Sequence, residues 1–168
     1  MSNISGQFGS SGSITITLAS LAYQSVRQSN VLDLTALISG GPTLDVLLTL
    51  QSKITAGAPG GQLAINWYIA PSIDNSTWPE VGSTAATTIG GGDGAYTGSL
   101  LNLSPCRAVQ FTAQNIKYAQ TVSVSTVLGL GKFPKGIVVV VDNETGQSLS
   151  ATAGDSQLLY QVVYASNT

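Results

Sequence analysis

The stretch TLDVLLTLQSKIT (43–55), answered by QLAINWYIA (62–70), constrains this chain more than any other. Leu44, Val46, Leu48 and Leu50 alternate with Asp45, Thr49, Gln51 and Lys53. After GAPGG (57–61), Leu63, Ile65, Trp67 and Ile69 resume the same period. An apolar residue at every second position lines one face of a strand and does not match the 3.6-residue repeat of a helix. Two such runs joined by a short Gly/Pro link make a hairpin or a sheet-to-sheet corner.

The rest of the chain repeats the theme. SITITLASL sets Ile14, Ile16 and Leu18 against Thr15 and Thr17, and VLDLTAL follows from Val31. Later come YTGSLLNL, RAVQFTAQN, TVSVSTVL (Val122, Val124 and Leu128 inward), GIVVVVDN and QLLYQVVY. DNETGQSL between the last two reads as a turn, with Gly146 where positive φ is tolerated. LASLAYQSVRQ has room for one or two helical turns at most. Residues 71–98 are turn-rich, and GGGDG (90–94) is their most flexible point. Residues 1–13, built of Gly, Ser, Asn and Gln, read as a flexible arm that a partner orders, so that deleting them leaves the domain folded. The expected architecture is that arm followed by one antiparallel β-sandwich of jelly-roll type, about eight strands, over 14–168. A chain of 168 residues buries roughly two-thirds of its unfolded surface and needs no disulfide or metal to fold.

Charge is scarce: six Lys or Arg against eight Asp or Glu, beside 21 Ser, 17 Thr and 19 Gly. Six dispersed cations make a poor phosphate-neutralising surface, so nucleic acid is not an expected partner. The longest uninterrupted apolar run, Ile137–Val141, is far short of the ~20 residues that span a bilayer. The N-terminal residues lack the charged and apolar regions of a secretory leader, so synthesis in a cytoplasm and no membrane association are expected. A surface this neutral is poorly protected against association, which suits a protein that ends up against partners.

No histidine is present, which removes Ser-His-Asp and Cys-His machinery and His-ligated zinc, and Cys106 is the single cysteine. Cys106 reads as a buried small hydrophobe. GGGDG lacks the lysine and helix of a phosphate loop. Carboxylate pairs remain: Asp74 with Glu80, Asp142 with Glu144, and Asp33 with Asp45. The first two pairs sit in turn sequences, where Asp bonds local amides, so neither an enzyme nor a bound cofactor is expected. Both tryptophans fall in INWYIAPSIDNSTWPE (65–80). Trp67 is on an inward strand position. Trp78, after a polar turn and before Pro79, is expected to fold back over a sheet edge or cover a neighbour; if exposed, it could build a small sugar platform with Tyr68 and Asn66.

Three segments in order, SVRQSNVLDL (25–34), INWYIAPSIDNSTWPE (65–80) and FPKGIVVVVDNETGQSLSATAGDSQLLYQVVY (133–164), resemble a family of small structural proteins of tailed bacteriophages. The matching positions are Arg27, Gln28 and Ser29; Tyr68, Ser72, Asp74 and Trp78; Ile137, Val138, Asn143, Thr145 and Gly146; and Tyr160 and Tyr164. The resemblance covers most of the chain from residue 25 and implies a jelly-roll capsid decoration (cement) protein. Such a protein binds the major capsid protein on the virion exterior as a homo-oligomer, trimer ahead of dimer. Ile4, Phe8, Arg27, Trp78 and Tyr96 are the expected interface residues. A carbohydrate-binding module that takes surface glycans, or a minor head-fibre or tail protein, is the alternative.

Overall fold

The computed structural model describes residues 4–37, 43–79, 89, 92–129 and 133–167. They form an antiparallel β-sandwich. Its strands are β1 (Ile4–Ile14), β2 (Val26–Gln28), β3 (Leu32–Asp33), β4 (Thr43–Lys53), β5 (Ala64–Ser72), β6 (Gly94–Ala95), β7 (Ser104–Pro105), β8 (Val109–Gln110), β9 (Lys117–Ser123), β10 (Gly136–Glu144) and β11 (Gln157–Asn167), with one helix, α1 (Val124–Leu128). Sheet one runs β1-β11-β4-β9. Sheet two runs β6-β2-β10-β5-β7, with β3 also on β10 and β8 also on β5. The expected count of about eight is exceeded because β3, β6, β7 and β8 are two-residue pairings at the margins of sheet two.

The two alternating runs lie in different sheets, so GAPGG is a corner and not a hairpin. Val46, Leu48 and Leu50 of β4 face Ile65, Trp67 and Ile69 of β5 across the interior, joined by Ile137, Val139, Val141, Leu158 and Phe111. Trp67 is fully buried and donates its indole N–H to the Arg107 carbonyl. Leu44 leaves the row. The β4–β11 register shifts between Asp45↔Val163 and Thr43↔Tyr164, which turns Leu44 outward, 48% exposed.

β10 explains itself differently. Its run Ile137–Val141 does not alternate because both faces are covered. Ile137, Val139 and Val141 enter the inter-sheet core. Val138 and Val140 enter a second core on the outer face of sheet two, with Ala70, Trp78, Ile89, Tyr96 and Leu103. Trp78, Ile89, Tyr96 and Leu103, which follow β5 in the chain, thus cover the outer face of β10 and β5.

Several local expectations are corrected. Residues 4–13 are not a free arm: β1 pairs with β11 from Ile4↔Asn167 to Ile14↔Leu158. Its glycines make room for rings. A Cβ at Gly12 would stand 2.9 Å from the Tyr160 ring, and one at Gly9 would stand 3.0 Å from that of Tyr164. TVSVSTVL is half strand and half helix, because the Ser123 hydroxyl accepts from Thr126 N at 3.1 Å and caps α1. The Asp45 carboxylate accepts from Ser125 N at 3.1 Å and pins the same turn. LASLAYQSVRQ contains turns and no helix, and YTGSLLNL (96–103) holds no strand, since β6 ends at Ala95 and only bends and turns follow before β7.

Asn143 locks the end of β10. Fully buried, it donates to the carbonyls of Leu21 (2.9 Å) and Gln147 (2.8 Å) and accepts from the Thr145 amide and hydroxyl. Gly146 follows at φ 77°, and a Cβ there would meet Gly60 backbone at 2.6 Å. The turn expected at DNETGQSL is thus present with its positive-φ glycine. Asn143→Ala should cost about 2–4 kcal/mol by orphaning buried carbonyls, read by urea denaturation. Deleting residues 1–13 should destabilise by at least about 3 kcal/mol, since it bares β11 and the Tyr160 and Tyr164 rings. An unchanged melting temperature would show that β1 adds nothing to sheet one.

Candidate functional site

The aromatic site suggested by INWYIAPSIDNSTWPE does not assemble on the surface. Trp78 is 7% exposed and Tyr96 5% exposed, both inside the second core, and Tyr68 packs against the same cluster. Neither Trp78 nor Tyr96 offers a ring to a sugar or a partner, which corrects their assignment as interface residues. Arg27 is likewise occupied. Its Nε lies 2.8 Å from Asp93 Oδ1, while Thr17 bonds the same carboxylate through both its amide and its hydroxyl. The Asp93 amide donates to Asn30 at 2.6 Å. Residues 92–94 of GGGDG are therefore stapled to the start of the chain, and residues 90 and 91 lie outside the described residues. Burial works against the Asp93 carboxylate, but the bonds from Arg27 and Thr17 prevail and hold its pKa below the ordinary value.

The carboxylate pairs resolve into separate roles. Asp74 accepts from the amides of Thr77 and Ser76 and from the hydroxyls of Thr77 and Ser72, which holds it far below the usual carboxylate range. It closes the turn as expected, and Glu80 lies outside the described residues. Asp33 bonds the Thr35 hydroxyl and amide and caps a short 3-10 turn at Thr35–Leu37. Asp45 binds α1. Asp142 and Glu144 are in strand β10 and not in a turn, two residues apart and so on one face, beside Asn66 and Tyr68 of β5. Burial first, then the charge of Glu144, push the Asp142 pKa up, while Asn66 bonds it and opposes the shift. Burial, followed by Asp142 and Glu144, likewise raises the Tyr68 phenol. Among the described residues no three His, Cys, Asp or Glu side chains group as metal ligands.

The surface with the most to offer a partner is the outer face of sheet one. Opposite the buried rows of β4 and β11 stand Leu47, Thr49, Gln51, Leu159, Gln161 and Val163, flanked on β9 by Ala119 and Thr121. Thr49 and Thr121 hydroxyls bond across the strands at 2.8 Å, and Gln51 donates to Gln157 at 2.8 Å. Charges are confined to the ends. Lys53 pairs with Asp155 (3.4 Å) and Lys117 bonds the Gly154 carbonyl at one end, with Asp45 on α1 at the other. Beyond the bulges at Leu44 and Gly9–Ser10 the face becomes apolar, with Phe8 72% exposed beside Leu44 and Val163. A Cβ at Gly6 would stand 3.9 Å from both Leu44 Cδ1 and Val163 Cγ1, so all three side chains share this end. Phe8 alone of the expected interface residues is displayed; for Ile4 the backbone pairing in β1 is described.

Two open grooves are formed by described residues. One of about 420 Å³ runs between Pro105–Arg107 and the β9–α1 junction, and one of about 460 Å³ lies between Thr35, Ile73 and Phe133. Cys106 lines the first. It is free, packs against the core, and burial pushes its thiol up to about 12. Comparison with protein-family models, curated proteins and solved structures gives no match to this chain.

Sequence reasoning missed the sheet-one face because its residues are ordinary strand outliers, Thr, Gln and Leu, with no motif. The Asp142 environment yields a test. The folded state holds this proton more tightly than the unfolded chain, so stability falls as pH rises from about 3.9 through the raised value and then levels off. Asp142→Asn should therefore raise the melting temperature at pH 7 and leave it nearly unchanged at pH 3. A lower melting temperature at pH 7 would show that the charge is compensated in place.

Proposed function

We propose that this protein is a non-enzymatic virion structural protein that docks on the outside of a tailed-phage capsid and stabilises the expanded shell. Its partners on this reading are the major capsid protein and further copies of itself. The observation that carries the proposal is the outer face of sheet one: uncharged between its ends and bounded by exposed Phe8 and Leu44. The phage-family resemblance of residues 25–34, 65–80 and 133–164 points the same way.

The physics of such a role fits this surface. A lattice-binding protein gains from many weak, repeated contacts, since each bound copy stabilises only the shell state that it binds. Thr49–Thr121 and Gln51–Gln157 are already bonded to each other, so their side chains lose little freedom on docking. With charge confined to the ends of the face, attachment should depend little on ionic strength. The sugar-binding alternative has lost its platform, because Trp78 is core.

The test is co-sedimentation of the purified protein with expanded capsids of the phage that encodes it. Saturation in fixed proportion to the capsid subunits is expected, with affinity changed less than about threefold between 50 mM and 300 mM salt. Thr49→Lys with Gln161→Lys should weaken binding at least about tenfold while the fold is kept. A handful of copies per particle would place the protein at a vertex, neck or fibre instead. No binding would overturn the proposal.

A further inference from the structure

β1 is an edge strand of unusual character. It is eleven residues long, one side is paired with β11, and among the described residues nothing pairs with the other side. Natural edges are blunted by lysine, proline, shortness, a bulge or a cover. ISGQFGSSGSI contains no charge and no proline. Its single device is the bulge at Gly9–Ser10, which leaves Ile4–Phe8 as a regular outer segment, with Gly6, Gln7 and Phe8 all exposed.

We infer that a second copy of this chain occupies that edge, pairing antiparallel with Ile4–Phe8 about a two-fold axis at Gly6. The register follows from the sequence of the segment. With the axis at Gly6, Phe8 of each copy lies opposite Ile4 of the other, and Gln7 lies opposite Ser5. Apolar residues then meet at both ends of the new ladder. The axis position, where the two backbones meet their own image, falls on a residue with no side chain. Phe8, Leu44 and Val163 of both copies would flank the axis as a continuous apolar patch. A two-fold requires each patch to match itself, and this one carries no charge to repel its mate. The result is one eight-stranded sheet made of two four-stranded ones. The inference does not depend on what the outer face of that sheet binds.

The register makes the test specific. Sedimentation equilibrium on the full chain should show a reversible dimer. Ser5→Lys with Gln7→Lys sets ammonium groups opposite each other twice and should weaken dimerisation at least about tenfold. Ser5→Glu with Gln7→Lys sets opposite charges against each other and should restore wild-type association. Hydrogen exchange on the unaltered protein gives a second reading that needs no variant: amides of residues 4–8 should gain protection as concentration rises. A monomer at every concentration, a trimer, a Lys/Lys variant that dimerises normally, or protection elsewhere without any at residues 4–8 would each overturn the inference. Failure of capsid binding with an intact dimer would count only against the docking role.

Discussion

The ladder between β10 and β5 is the interaction on which the rest depends. Nine residue pairs from Gly136↔Ser72 to Glu144↔Ala64 join them, and β10 is covered on both faces. A strand buried on both sides takes apolar residues wherever no hydrogen-bond partner is at hand, as Ile137–Val141 does; Asn143, equally buried, is admitted because its amide is fully bonded. The cover is as necessary as the strand. Without Trp78, Tyr96 and Leu103, the side chains of Val138 and Val140 would face water, a loss of roughly 1.5–3 kcal/mol for each. Ser29 extends the arrangement on the other side of β10, exchanging bonds with Val139 through its amide and hydroxyl.

Several polar side chains in and around this interior are satisfied locally, although the buried oxygens of Thr43 and Asn75 have no hydrogen-bond partner. Asn143 fills four bonds, Asp93 binds Arg27 and Thr17, and Asp74 gathers two amides and two hydroxyls. Asp142 is the exception in kind: a carboxylate held partly out of water next to Glu144, with the Asn66 side chain as its hydrogen-bond partner. Most of the chain's few charges thus serve to fix loops, which leaves sheet one almost neutral.

The sandwich was legible in the sequence because period-two alternation in β4 and β5 is a direct image of a two-sided sheet. Trp67, Asp74 and Gly146 could be placed for the same reason: each is dictated by its immediate neighbours. What could not be read depends on distant contacts. The position of Trp78 after a polar turn and before Pro79 lets it fold back over a sheet, as it does, but nothing local shows that this leaves no ring for a partner or that Tyr96 joins the same core. ISGQFGSSGSI looked like a tether because its glycines signal freedom, whereas here they accommodate Tyr160 and Tyr164, some 150 residues away in the chain. Asp142 and Glu144 looked like turn residues, since the sequence DNETG is also what a strand needs just before it ends. The candidate docking face left no mark at all, as a neutral outward row is what any solvent-facing strand carries.

Cys106 has a practical bearing. Its thiol is free, packed against the core, and pushed up to about 12, so at neutral pH almost none of it is thiolate, the form that alkylating reagents attack. A cysteine introduced at an exposed position such as Leu101 would react in preference to it. Fluorophores or cargo could therefore be attached at one chosen point of the native sequence without first removing its own sulfur.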